Sequence, residues 1–160
     1  MNSAGIIPVI KENGKVYVLL GEDDAGWSAF AGRQDLDETP QETAFREFHE
    51  ETTNIFTDVN IEFVQRNCFH IYNTMTPTGK VFTMYFVDFS KIDTTNTNSM
   101  FQKALKINVC EQEKKRLKWV EINKILKHKL RFSFYKDIKQ ILNIIYEWEK
   151  ESVIDSIILK

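Results

Sequence analysis

The stretch FAGRQDLDETPQETAFREFHEETTNIF, Phe30 to Phe56, gathers Asp35, Asp37, Glu38, Glu42, Glu47, Glu50 and Glu51 into one short segment. Thr39 is a good N-cap, Pro40 suits the first helical position, and Thr39 with Glu42 has the spacing of a capping box, so a helix is predicted from Pro40 onward. At about 100° per residue, Glu47, Glu50 and Glu51 share one face, while Ala44, Phe45, Phe48 and Thr52 form the side that should bury. His49 falls between them and is expected to face solvent. Three like charges at i, i+3 and i+4 repel by roughly 0.2–0.5 kcal/mol per pair, and near a helix C-terminus the macrodipole opposes them as well. The ordinary account of such a cluster is a solvated acidic face. A divalent cation reverses the argument, because hard oxygen ligands converging from one face are what Mg2+ or Mn2+ takes.

The crowding is local. The chain has 160 residues, 42% hydrophobic, with a net charge of -2, and its length suits a single domain spanning 1–160. Residues 1–60 carry 12 acidic and 4 basic side chains, whereas residues 61–160 carry 11 and 17. An acidic half is thus followed by a basic one. Cys68 and Cys110 have no C-x-x-C partner, which argues against a zinc site or a disulfide framework and for two buried thiols in a reducing, cytoplasmic setting. The longest apolar runs, such as VYVLL, are strand-sized, so no targeting or membrane-spanning segment is expected.

AGIIPVIKE and NGKVYVLLGE read as a hairpin around Asn13-Gly14, since that dipeptide supplies the positive φ values of a tight turn. DDAGWSAFAG is loop or short strand, and KIDTTNTNS a polar surface loop. VNIEFVQRNCFHIY and KVFTMYFVDF read as strands joined by NTMTPTG. RLKWVEI should be a strand, NKILKHKL a short helix, and SFYKDIKQILNIIYEWEKE one long amphipathic helix with Phe134, Ile138, Ile141, Leu142 and Tyr146 on its apolar side. The tail SVIDSIILK either extends that helix or pairs as an edge strand. The mixture indicates an α/β or α+β sandwich.

The spacing around the carboxylates is more specific than the cluster itself. Gly32, five residues, Glu38, seven residues, then Arg46-Glu47-Phe48-His49-Glu50-Glu51 resembles the Nudix box, G-x5-E-x7-R-E-U-x-E-E-x-G-U, with U apolar and Phe48 in the first U position. Thr53 stands where the box has its second glycine and Asn54 at the last U. That glycine ends the helix in a left-handed conformation, which a β-branched Thr resists and Asn tolerates, so the cap is expected one residue later, at Asn54. Ala31 and Asp37 also replace common glycines of the family. The resemblance implies a Nudix-type α/β/α sandwich with a mixed β-sheet. It further implies Mg2+-dependent hydrolysis, with Mn2+ as an alternative ion, of a nucleoside diphosphate linked to another moiety.

Under that resemblance Glu47, Glu50 and Glu51 are metal ligands and catalytic residues, joined by the backbone carbonyl of Ala31. Arg46 holds a carboxylate in place, and Glu38 orients its neighbours. Family members often add a glutamate from a loop before the last strand, for which CEQEKKRLKWVEI offers Glu113, preferred for its distance from Trp119, and Glu111. Phosphate needs cations, and Arg33, Lys115 and Arg116 are the candidates, within the run Lys114, Lys115, Arg116 and Lys118. Phe82 and Tyr85 are the aromatic platform expected to bind a base. Residues 103–139 hold 12 basic and 4 acidic side chains, either a solvated basic face or a track for RNA, which keeps mRNA decapping as a rival hydrolase reading. A non-catalytic nucleotide-binding module is the other alternative, though such modules usually lose the box carboxylates; an isopentenyl diphosphate isomerase would need a catalytic cysteine context that is absent. The apolar C-terminal segment would suit a homodimer interface.

Overall fold

The computed structural model describes residues 1–107 and 113–158. Its centre is a seven-stranded mixed sheet in the order β3-β2-β1-β6-β5, with β4 pairing β1 and β7 pairing β2. Strands β1 (Ser3–Glu12) and β2 (Lys15–Asp23) form the expected hairpin, with Val9 opposite Val18. Asn13 and Gly14 take φ values of 53° and 74°, the left-handed pair that such a turn requires. DDAGWSAFAG yields two short strands, β3 (Gly26–Ser28) and β4 (Phe30–Arg33), the latter antiparallel to the start of β1. On the other side of β1 runs β6 (Val81–Asp88), parallel to it, and beyond lies the edge strand β5 (Cys68–Met75).

Alternation along the strands sends side chains to two faces, and each face buries its own core. On one, Ala4, Ile6, Tyr85 and Val87 meet Ala44 and Phe48 of α1 (Pro40–Glu51), Val64 of α2 (Ile61–Asn67) and Phe101 of α3 (Thr97–Ile107). On the other, Ile7, Val9 and Phe86 meet Ile122 and Ile125 of a 3-10 helix (Ile122–Lys127), Phe134 of α4 (Phe132–Tyr135) and Ile138, Ile141 and Ile145 of α5 (Ile138–Ile158). The result is an α/β/α sandwich. Phe48 is fully buried among Phe30, Phe56 and Phe89, so truncating it to Ala should cost about 3–5 kcal/mol.

Three segments differ from the sequence reading. VNIEFVQRN opens as helix α2, because the Asn60 side chain caps Phe63 N–H at 2.8 Å and Ile61 and Val64 are one helical turn apart. Helix α3 follows the polar loop, its first turn tied to β7 (Arg116–Glu121) by Trp119 Nε1–H donating to Thr97 Oγ1 at 3.0 Å. The single long C-terminal helix is broken at Lys136-Asp137 into α4 and α5, and α5 runs on into SVIDSII rather than giving way to an edge strand. Among the described residues, no helix is long and apolar enough to cross a membrane.

Candidate active site

Helix α1 starts as its sequence dictates. Glu42 N–H donates to Thr39 Oγ1 and Thr39 N–H to Glu42 Oε1, both at 3.2 Å, closing the capping box. One residue earlier, Glu38 accepts from Asp35 N–H at 2.9 Å, from the Thr43 hydroxyl at 3.0 Å, and from Arg46 Nε and Nη2 at 2.7 and 2.9 Å. The Arg46 bonds, then the Asp35 backbone, hold its pKa down to about 2. Arg46 is the hub: Nη1 also reaches Glu47 at 2.9 Å and Glu50 at 3.3 Å, and Nη2 donates to the Arg33 carbonyl at 3.0 Å. It thereby joins the loop after β4 to the middle of α1.

Gly32 explains itself by what it makes room for. A Cβ at that position would stand 2.1 Å from Glu47 Cδ, so the Glu47 carboxylate occupies the space any other residue would fill. Burial raises the Glu47 pKa, with Arg46 opposing and Glu50 and Glu113 adding to the rise. Glu51 lies deeper, at 7% exposure. Burial pushes its pKa up to about 8, Lys114 works against that, Glu47 and Glu113 reinforce it, and a hydrogen bond with the Ala31 backbone lowers it slightly. Four carboxylates, three from α1 and one from the segment before β7, therefore face one another closely enough to repel. Among the described residues no three such groups are drawn together at coordinating distance, since Arg46 engages Glu47 and Glu50.

The helix ends one residue earlier than predicted. Thr52 is the C-cap, Thr53 N–H donates to the Glu50 carbonyl at 3.2 Å, and Asn54 N–H to the His49 carbonyl at 2.8 Å, the paired bonds of a Schellman motif. Thr53 itself takes the left-handed conformation, φ 53°, and Asn54 follows at φ 57°. The Thr53 hydroxyl donates to the Thr52 carbonyl at 2.7 Å. His49 is another correction: it is half-buried against Phe45 and Phe48, and its Nε2–H donates to the Val59 carbonyl at 2.7 Å. Burial lowers its pKa.

Glu51 and Glu113 border a cavity of about 340 Å³, together with Ala31, Gly32 and Arg33 on one side and Phe82 and Met84 on another. Glu111 lies outside the described residues, as does Cys110. Of the basic run, the residue turned inward is Lys114, only 2% exposed, with Nζ donating to Ser28 Oγ at 2.7 Å and 3.5 Å from Asp23 Oδ2. Its stem lies where a Cβ on Gly21 would be, 2.8 Å from Lys114 Cδ. Lys115 and Arg116 do not reach the cavity: Lys115 pairs with Asp24, and Arg116 pairs with Glu22 at 2.7 Å and lies over the Trp27 ring. Tyr85 is likewise displaced, buried in the core beneath α1 on the opposite face of the sheet from Phe82. Arg131, paired with Asp23 at 3.0 Å, and Lys136 supply cations that sequence reasoning had left in a general basic stretch.

Gly32 leaves room for Glu47, Glu51 is buried beside it, and the Arg46 hub is tied to Glu38. The NUDIX domain family matches residues 1–140. The chain belongs to that family. Among solved structures it is similar to RenU, a Nudix hydrolase from M. smegmatis, with 15% identity, TM-score 0.61, and coverage of 91% of this chain and 86% of that one. It is also similar to a C. elegans Ap4A hydrolase, with 17% identity, TM-score 0.58 and coverage of 91% and 98%. A third is the NUDIX domain of Shewanella oneidensis NrtR complexed with ADP ribose, with 15% identity, TM-score 0.55 and coverage of 91% and 88%. No curated protein matches it in sequence. Membership of the family makes the chain a Nudix hydrolase domain, an enzyme class acting on phosphoric anhydride bonds.

Proposed function

We propose that this Nudix domain hydrolyses the pyrophosphate linkage of a nucleoside diphosphate joined to another moiety, with Mg2+ or Mn2+ as cofactor. One observation carries the reading: Glu51, a buried carboxylate with its pKa pushed up to about 8, borders a cavity beside Glu113. A buried carboxylate among others costs stability unless a cation joins it. The donor set fits such an ion, being hard oxygens, and Gly32 leaves room for Glu47 to stand next to it. Glu47, Glu50 and Glu51 would hold the ion, with the Ala31 carbonyl and Glu113 as neighbouring oxygens. When bound, a divalent ion neutralises diphosphate charge and lowers the pKa of water.

The chain's own groups account for the rest. Arg46 holds Glu47 and Glu50 on one face, and Glu38 fixes Arg46 through two bonds. Arg33, Lys114 and Arg131 line the cavity and offer positive charge to a phosphate. A hydrolysis panel of ADP-ribose, dinucleoside polyphosphates, nucleotide sugars, dNTPs and capped RNA with Mg2+ or Mn2+, run beside Glu51→Gln, tests this. The substitution should lower the rate by at least about 10–100-fold, the size that disturbing a metal's surroundings produces. Equal inertness of wild type and variant on every substrate would sink the hydrolase reading, and undiminished activity of the variant would remove Glu51 from the site.

A second reading, removal of an RNA cap, is favoured by one feature. Arg131 and Lys136 border the cavity, and the exposed Lys127 and Lys129 precede them in the same segment, so a chain of phosphates leaving the cavity would meet positive charge. Activity on capped RNA that is absent on free nucleotides would select it.

A further inference from the structure

The cavity that contains Glu51 has a second, chemically different part. The strand order places β3 and β5 on opposite sides of β1, and the lining changes accordingly from Glu51, Glu113 and Lys114 to Phe82, Met84, Phe134 and Ile141, with Tyr72, Lys136 and Asp137 among the polar groups beside them. Asp137 is rigidly held at the break between α4 and α5: its N–H donates to the Phe134 carbonyl at 3.2 Å and its carbonyl accepts from Ile141 N–H at 3.0 Å. Tyr72 lines the cavity with it, and its phenol pKa is raised, by burial first and then by the charge of Asp137.

An ionised carboxylate only accepts, at about four lone-pair positions. A ligand group meeting Asp137 in this part of the cavity must therefore bring donors, and the apolar side chains of Phe82, Met84, Phe134 and Ile141 suit a planar ring better than a sugar with hydroxyls on all sides. Among the nucleobases, guanine presents two adjacent donors, N1–H and the N2 amino group, on one edge. Adenine and cytosine each set a ring-nitrogen lone pair beside their amino group, and uracil sets its single N–H between two carbonyls. Those three edges would bring an acceptor against the carboxylate, which costs affinity.

We infer that Asp137 reads the Watson–Crick edge of a guanine, so that the substrate is a guanosine diphosphate derivative. This rests on the hydrolase reading only in placing a diphosphate at the Glu51 end. It is tested by calorimetric binding of GDP, IDP and ADP in EDTA, without turnover. Wild type should bind GDP about 10–100-fold more tightly than ADP, with IDP, which lacks the second donor, in between. Asp137→Asn is isosteric and sets an amide donor beside an acceptor, the complement of adenine; it should cut the GDP preference to near unity or reverse it. Asp137→Ala should weaken GDP without improving ADP. ADP bound as tightly as GDP by wild type, an unchanged ratio in Asp137→Asn, or no GDP binding at millimolar concentration each overturns the inference. A wild type that prefers GDP yet hydrolyses no substrate leaves the base site standing and removes the hydrolase reading, whereas equal hydrolysis of matched guanosine and adenosine substrates does the opposite.

Discussion

The two ends of helix α1 are built on opposite terms. At its start every local rule agrees: Thr39 caps, Pro40 and Glu42 suit the first turn, and Glu38 is so well hydrogen-bonded that its pKa is held down to about 2. At its end a β-branched Thr53 takes a left-handed conformation, and Glu51 is buried with its pKa pushed up to about 8 near the negative pole of the helix dipole. Both ends carry glutamates of the same short motif. The difference teaches that the first end specifies the helix while the second breaks local rules, as positions of a candidate site do.

The sharpest way to break that contrast is to remove the buried charge. Glu51 has a folded pKa above its unfolded value of about 4.5, so its contribution to stability is fully present below pH 4.5 and is lost as pH rises through about 8. Metal-free Glu51→Gln should therefore match wild type near pH 4.5 and exceed it above pH 8 by on the order of 5 kcal/mol, read from denaturant midpoints. Adding Mg2+ should raise wild type alone. If the variant is no more stable at high pH, the burial of Glu51 is without cost.

Glu38 carries the opposite sign and a smaller effect. Its depressed pKa gives a contribution fully present above about pH 4.5 and lost as pH falls through about 2. Thermal melts of wild type should therefore fall more steeply below pH 4.5 than those of Glu38→Gln. Parallel curves would mean that Arg46 gains nothing from this partner. Next in size, Thr39→Ala should cost about 1 kcal/mol, because Glu42 N–H loses its acceptor.

The same contrast governs what could be read from the sequence. The start of α1, the Asn13-Gly14 hairpin and the RLKWVEI strand were legible because side chains there act on their immediate neighbours. Phe82 and Tyr85 were wrongly paired, although their odd separation already puts them on opposite faces of a strand. Lys114 was hidden among four basic residues, since its inward turn depends on the missing Cβ of Gly21, 93 positions away in sequence. Asp137 gave no signal at all: it joins Tyr72 in the cavity lining only through the fold, from the break between α4 and α5. Helix α2 was misread because IEFV has the composition of a strand, and a single Asn60 cap decides otherwise.

Thr53 offers the smallest change and the most discriminating one. A non-glycine residue at left-handed φ costs about 1–2 kcal/mol, and Thr53 recovers part of this through its hydroxyl bond to the Thr52 carbonyl. Glycine would relieve the strain but adds backbone freedom to the unfolded chain, worth about 0.5–1 kcal/mol in the other direction. Thr53→Gly should thus stabilise the protein by about 0.5 kcal/mol, measured by denaturant unfolding. A loss of stability would show that the hydroxyl bond outweighs the strain. The pairing of this result with activity then separates two roles for the helix end. If stability rises and hydrolysis is unchanged, the Schellman bonds from Thr53 and Asn54 suffice to place Glu51 whichever residue occupies the turn; if stability rises and hydrolysis falls, the strained threonine itself holds Glu51 in position, and the second end of the helix trades stability for the site.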